Sequence, residues 1–223
     1  SHPEKIINRL ARFTLKDGLL DLTSEVAILD IPIERANKVC HHGGAIEFGP
    51  DGLLYLSTGD NTNPFETDGF NPTDERDGHE YANALRSAGN SNDLRGKILR
   101  IKMKPDGTYD IPAGNLFKPG TPKTKPEIYV MGLRNPFRFS VDQKKSTVYW
   151  GEVGPDSGND SDRGPMGYDE VNQAKKAGFF GWPMIIADQK AYSKYDYATK
   201  TISFKYDPAA PKNESRLNTG IVD

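Results

Sequence analysis

Cysteine is nearly absent from this sequence. The one residue, Cys40, excludes an internal disulfide and a cysteine-built zinc cluster, and leaves the redox compartment open. Long apolar runs are missing too; none approaches the ~18 residues of a membrane-spanning helix. Neither sign of charge dominates, since 29 Lys and Arg stand against 31 Asp and Glu, for a formal charge of −2. Such a chain does not favour nucleic acid as a partner, because phosphate neutralisation needs a cationic face. Neither a Rossmann glycine fingerprint nor a P-loop occurs, which disfavours a nucleotide cofactor. The opening residues, Ser1-His2-Pro3-Glu4-Lys5, are polar and carry no secretory signal.

What the sequence does hold points to strands. Only 35% of residues are hydrophobic, yet 10 Tyr, 10 Phe and 2 Trp supply large bodies for a core. With 22 Gly and 16 Pro, a turn-rich β protein fits better than a helical bundle. Residues 6–30 predict two alternating strands around the turn Lys16-Asp17-Gly18. Ile46-Glu47-Phe48, the turn Gly49-Pro50-Asp51-Gly52 and Leu53–Ser57 predict a sharper hairpin. Residues 61–93 are a long polar stretch without periodicity, of the kind that is either functional or disordered.

Strands resume over Leu94–Ile101, Glu127–Met131, Phe137–Val141 and Ser146–Trp150, separated by turns and by a proline-rich loop at 111–126. The unit at 137–152 copies that at 46–60: strand, Asp-containing turn, a strand with Tyr, then Gly and an acid. About ninety residues separate the copies, which suggests two blades at the ~40–50-residue pitch of propeller repeats. Residues 168–177 have helical propensity with Gly178 as a stop, against the surrounding strand rhythm. No internal domain boundary is visible, so 1–223 reads as one all-β unit, a sandwich or a propeller by pattern alone.

Four segments carry a resemblance. They are Cys40-His41-His42-Gly43-Gly44 continuing through Gly59-Asp60, then Asn92-Asp93-Leu94-Arg95-Gly96-Lys97-Ile98-Leu99-Arg100-Ile101, then Gly132-Leu133-Arg134-Asn135-Pro136-Phe137-Arg138, and Tyr149-Trp150-Gly151-Glu152-Val153-Gly154-Pro155-Asp156 with Tyr168–Asn172 and Gly181-Trp182-Pro183 behind it. In this order they resemble the glucose/sorbosone dehydrogenase family over most of 38–185. The resemblance implies a six-bladed β-propeller, of which this chain would be about half, because six blades need on the order of fifty residues each. An unclosed propeller would expose strand edges and invite self-association.

It also implies an oxidoreductase that uses pyrroloquinoline quinone (PQQ) and calcium to oxidise aldose sugars at C1. His41 would be the general base, and Asp60 would orient its imidazole. A His-His pair taken alone reads instead as turn histidines facing water, and His42 falls on the other side of the chain. Arg134 and Asn135 would hold and polarise the quinone, arginine being suited to carboxylates by its planar fork. Without the resemblance, they read as a turn before Pro136. Gly154 and Pro155 would offer backbone carbonyls to calcium, an oxygen-seeking cation; alone they read as a strand-ending turn. Asp156, Asp160 and Asp162 read as a solvated acidic loop or a separate calcium loop, and Asp169 and Glu170 as a structural calcium pair or the pocket mouth.

The implied partners are a small sugar and an electron acceptor, a cytochrome or a dye-like molecule, in an extracytoplasmic setting, periplasmic or secreted. The alternative is a non-catalytic propeller that binds a glycan or a protein. A calcium-dependent propeller hydrolase would need acidic and amide side chains converging on the metal, a set that the sequence does not assemble.

Overall fold

The computed structural model describes residues 6–222, so the polar opening Ser1–Lys5 lies outside the described residues. Almost all regular structure is β. A long hairpin comes first: β1 (Ile7–Lys16) pairs antiparallel with β2 (Leu19–Pro32) around Asp17-Gly18. Then β3 (Ile46–Phe48), β4 (Leu54–Thr58), β5 (Lys97–Met103) and β7 (Ile128–Met131) form an antiparallel meander. The short β6 (Tyr109–Asp110) pairs with β5, and β11 (Gly178–Phe179) lies parallel to β7. A second sheet holds β8 (Pro136–Val141), β9 (Val148–Glu152) and β10 (Glu170–Ala174). Two small hairpins follow, β12 (Ile185–Ile186) with β13 (Lys190–Ala191) and β14 (Ser193–Asp196) with β15 (Thr201–Lys205). This is the all-β architecture that the strand rhythm indicated, of the propeller type that the resemblance implied.

Two expectations change. The copied units at 46–60 and 137–152 sit in consecutive sheets, with β8 packed on β3 and β4. Their ninety-residue spacing is therefore one blade step, stretched by the long segments 61–93 and 111–126, and not two. Residues 170–174 form the strand β10, and the helical propensity is not realised. Their side chains alternate, with Val171 exposed and Ala174 buried, and all five pair with β9. A full ladder outweighs a propensity worth only tenths of a kcal/mol per residue.

The core lies between the two main sheets. Tyr55, Ile98, Val130, Leu133, Val141, Val148 and Trp150 pack there with almost no exposure. Each such side chain contributes roughly 1.5–3 kcal/mol by leaving water. A further cluster of Leu54, Leu56, Leu99, Ile101 and Ile128 covers the other face and meets Leu10 and Ile31 of the first hairpin. Strand β5 is consequently buried on both faces through its first five residues.

The segment 61–93 is ordered. Its only regular pieces, among the described residues, are the 3-10 turns Glu80–Ala82 and Ala84–Arg86. Its order comes from buried amides that replace a strand ladder. Asn63 Oδ1 accepts from Phe65 N at 2.7 Å, Asn83 Nδ2 donates to Asp74 O at 2.9 Å, and Asn71 Nδ2 donates to Pro183 O at 2.8 Å. The last two satisfy carbonyls that would otherwise be buried without a partner.

Lys97, at the start of β5, anchors the far end of this region. Its side chain is fully buried, and Nζ donates to Ser87 O at 2.8 Å, Ala88 O at 3.1 Å and Arg95 O at 2.7 Å. Burial pulls the ammonium down to about 7, against the pull of Asp93 and Asp60. The unfolded chain holds that proton up to about 10.5. Over this window the unfolded state binds more protons, so this group's contribution to stability falls as pH drops from about 10.5 to about 7.

Lys97→Met is expected to lower the unfolding free energy by about 1–3 kcal/mol at pH 9, because the three carbonyls lose the two N–H donors that the neutral amine offers them. The wild-type advantage should shrink as pH is lowered from 10 to 7, by up to about 1.4 kcal/mol per unit. Urea unfolding at several pH values measures this, and a pH-independent difference would contradict it.

Candidate functional site

Three strand ends meet on one side of the sheets: the end of β4 at Thr58, of β7 at Met131 and of β9 at Glu152. The chain beyond each end carries the residues singled out in the sequence. Asp60 follows β4, Arg134 and Asn135 follow β7, and Gly154 and Pro155 follow β9. Backbone bonds tie these exits together. Asp60 N donates to Arg134 O at 2.8 Å, and Gly96 N donates to Gly59 O at 2.8 Å.

His41 and Asp60 form a buried pair. His41 Nδ1 lies 2.8 Å from Asp60 Oδ1, with side-chain exposures of 8% and 0%. His41 has a left-handed backbone, φ 60°, which is uncommon for a residue with a side chain and recurs at functional sites. Gly59 lets it sit there: a Cβ on Gly59 would lie 2.2 Å from the His41 carbonyl oxygen. The same carbonyl accepts from Asn61 N at 3.1 Å, and Cys40 N donates to Thr62 O at 2.9 Å.

Asp60 is satisfied on both oxygens. Thr62 N and Thr62 Oγ1 donate to Oδ1 at 3.1 Å and 2.9 Å, beside His41. Trp182 Nε1 donates to Oδ2 at 2.8 Å from 122 residues away. Burial pushes this carboxyl up, but the His41 charge and hydrogen bond, the Arg134 charge and the Trp182 bond together hold it below its ordinary value. An ionised Asp60 accepts only, so in the neutral form of His41 the proton sits on Nδ1 and Nε2 is the nitrogen with the lone pair.

Arg134 is buried, and its guanidinium donates to Val153 O at 3.0 Å and lies 5.8 Å from the Trp182 ring centre. Asn135 N donates to Glu152 Oε1, while Asn135 Oδ1 is buried without a partner. Burial pushes Glu152 up to about 8, against the bonds from Asn135 N and Trp150 Nε1, and the Glu170 charge pushes it further in the same direction. Arg134, Glu152, Gly154, Glu170 and Trp182 line one small cavity.

Gly154 and Pro155 run against the 167–168 segment backbone to backbone. A Cβ on Gly154 would lie 2.0 Å from Tyr168 O, and one on Gly167 would lie 1.6 Å from Pro155 O. Asp169 Oδ1 accepts from Gly154 N at 2.9 Å, which gives Asp169 a local task. No donor among the described residues reaches the carbonyl of Gly154 or of Pro155. Two carbonyls that accept from no described donor fit an oxygen-seeking cation. The Arg134 guanidinium with the Nδ2 donor of Asn135 fits a polyanionic cofactor, whereas the unpartnered Asn135 Oδ1 is an acceptor and fits only a donor on that ligand.

Asp156, Asp160 and Asp162 are exposed, and Asp160 accepts from Met166 N at 2.9 Å. Among the described residues no three His, Cys, Asp or Glu side chains are grouped so as to hold a metal. His42 turns away from the pair, with Nδ1 buried and unpartnered and its pKa lowered by burial. Trp182 and Glu152 escaped prediction as site residues, although both stand in matched segments. Nothing local in Gly181-Trp182-Pro183 reveals a partner at Asp60.

Gly59→Ala is expected to displace His41 from Asp60 and to lower stability by about 1–3 kcal/mol. The downfield Nδ1 proton resonance of His41 should disappear with it. Gly151→Ala, whose Cβ meets nothing within 4 Å, is the matched control and should leave both readouts unchanged.

The model of the Glucose / Sorbosone dehydrogenase family matches residues 2–212. The chain is 35% identical over 195 residues to the HIPL2 protein of Arabidopsis thaliana, covering 79% of this chain and 24% of that protein. Among solved structures it is similar to a putative oxidoreductase (glucose dehydrogenase) from Thermus thermophilus, with 31% identity, a TM-score of 0.51, and 75% of this chain and 40% of that one covered. It is also similar to the PQQ-bound aldose sugar dehydrogenase of Streptomyces coelicolor, with 26% identity, a TM-score of 0.53, and 81% and 41% covered. The chain thus spans about a quarter of the first relative and two fifths of the two solved structures.

Proposed function

The chain belongs to the glucose/sorbosone dehydrogenase family, and from that premise we propose that it forms one continuous part, about half, of a six-bladed propeller that oxidises aldose sugars at C1. In this reading the protein works outside the cytoplasm and passes electrons to a cytochrome or a similar acceptor. The observation that carries the reading is the buried His41–Asp60 pair, 2.8 Å apart, beside Arg134 and the exit to Gly154-Pro155. A base that takes a hydroxyl proton near neutral pH needs this arrangement: one nitrogen fixed, the other free.

The residues divide the work as follows. His41 Nε2 takes the proton of the sugar's C1 hydroxyl. Asp60 holds the ring through Nδ1–H and stabilises the imidazolium that results, as the carboxylate does in a catalytic triad. Arg134 and Asn135 would grip PQQ by its carboxylates and quinone oxygens, and the carbonyls of Gly154 and Pro155 would hold calcium. When bound, the quinone supplies a carbonyl carbon that accepts the C1 hydride, and calcium supplies Lewis acidity. Burial of the pair keeps competing water away from the imidazolium.

Calorimetric titration of PQQ with calcium into the full-length protein, with dye-linked aldose oxidation in the same samples, tests the reading. Arg134→Ala should weaken PQQ binding by about 10- to 100-fold, the value of a charge-assisted pair. His41→Ala should still bind PQQ and lose about 10²–10⁴ in kcat. Calcium chelation should abolish PQQ binding, and calcium alone should restore it. A protein that neither binds PQQ nor oxidises any aldose would instead be a propeller that binds a glycan or a protein.

A further inference from the structure

We propose that Trp182 is a positioning residue for the His41–Asp60 pair, acting through its indole N–H on the second oxygen of Asp60. The inference rests on the reading of His41 as the base.

Asp60 has no exposed surface, so each oxygen must be satisfied inside the protein. Oδ1 takes three donors, from His41 and from the backbone and hydroxyl of Thr62. Oδ2 takes one, Trp182 Nε1 at 2.8 Å. Thr62 follows Asp60 by two residues and moves with it. The indole is different, for it is fixed from elsewhere in the fold. Trp182 N donates to Gly132 O at 3.0 Å, and the ring stands edge-on to Tyr192 at 6.1 Å within a cluster that includes Leu85, Met184 and Ile185. It is 4% exposed. The carboxylate is therefore held between two partners from separate segments, His41 on Oδ1 and Trp182 on Oδ2.

The bond has two consequences. It sets the rotation of the carboxylate, and so the direction in which Oδ1 meets His41 Nδ1. It also withdraws charge from the carboxylate. The charged groups facing Asp60 are His41, Arg134, Arg95 and Lys97, and His42 adjoins His41. None of the others donates to Oδ2. With the N–H removed, the uncompensated charge on Oδ2 should bind the imidazolium more tightly, and His41 should become more basic.

The test uses Trp182→Phe and, as a shape-preserving variant, 3-benzothienylalanine at position 182, in which sulfur replaces the N–H. The His41 titration is followed by NMR in the full-length protein without cofactor, and kcat and KM against pH in the loaded enzyme. In both variants the His41 midpoint should rise by roughly 0.5–1 unit, with the acid limb of kcat moving the same way. The kcat should fall about tenfold and KM stay within about twofold, the pattern of a lost orienting partner. If both variants titrate His41 as the wild type does and differ only in melting temperature, Trp182 is a packing residue and the proposal fails. If the wild type oxidises no aldose, the proposed function fails, and the NMR titration still decides whether Trp182 positions the pair.

Discussion

A carboxylate without any contact with water is the constraint on which the site depends. An ionised Asp60 is tolerable only because four donors surround it, the buried imidazole of His41 among them. Each donor places a demand on the fold. Thr62 demands the tight turn after β4. His41 demands a left-handed backbone and a glycine at 59. The indole of Trp182 demands that a segment 122 residues later return to the same place. The sheets supply the frame, but the hydrogen-bond needs of one side chain determine where three separate loops must run.

The polar segment 61–93 follows the same physics without a strand. It buries Asn61, Thr62, Asn63, Asn71, Asp74, Asn83 and Asn90, and these side chains stand in for ladder partners. Arg163 adds a clamp. Its guanidinium donates to Asp68 Oδ2 at 2.8 Å and to Thr67 O at 3.0 Å, and stacks on Tyr195 at 3.9 Å. This joins the segment to the region just beyond Gly154-Pro155, where Ser157 N also donates to Gly69 O at 2.9 Å. Lys97 closes the other end from within the first sheet. Thus the one long stretch without periodicity is bound at both ends to elements that shape the site.

The sequence made the strands and turns legible because alternation and Gly-Asp-Pro punctuation are local signals. Hairpins at 7–32 and 46–58 stand where alternation places them. The pairing of His41 with Asp60 came from a resemblance; eighteen residues and two strands, β3 and β4, lie between the two, and no local pattern joins them. Beyond that, local signals fail for a consistent reason. Order in 61–93 depends on acceptors elsewhere in the chain, such as Pro183 O for Asn71 and Thr219 Oγ1 for Asn90. The strand at 170–174 depends on the free edge of β9, against its own propensity. Blade spacing misled because the long loops fall inside one blade step. The Trp182 bond depends on tertiary closure alone.

Glycine at the third strand exit shows how little of such a site is written in reactive side chains. Gly154 and Gly167 are required by contacts that a single Cβ would close, at 2.0 Å to Tyr168 O and 1.6 Å to Pro155 O. These contacts bring two backbone segments together and leave the carbonyls of 154 and 155 without internal donors. An uncompensated carbonyl costs on the order of 1–3 kcal/mol when buried, so a fold that keeps two side by side is destabilised unless water or a cation meets them. In the proposed function an oxygen-seeking cation would relieve that cost and add charge beside Arg134. Under the proposed function, the same backbone path that makes the turn tight would also make it a receptor for positive charge, through residues whose side chains take no part in the chemistry.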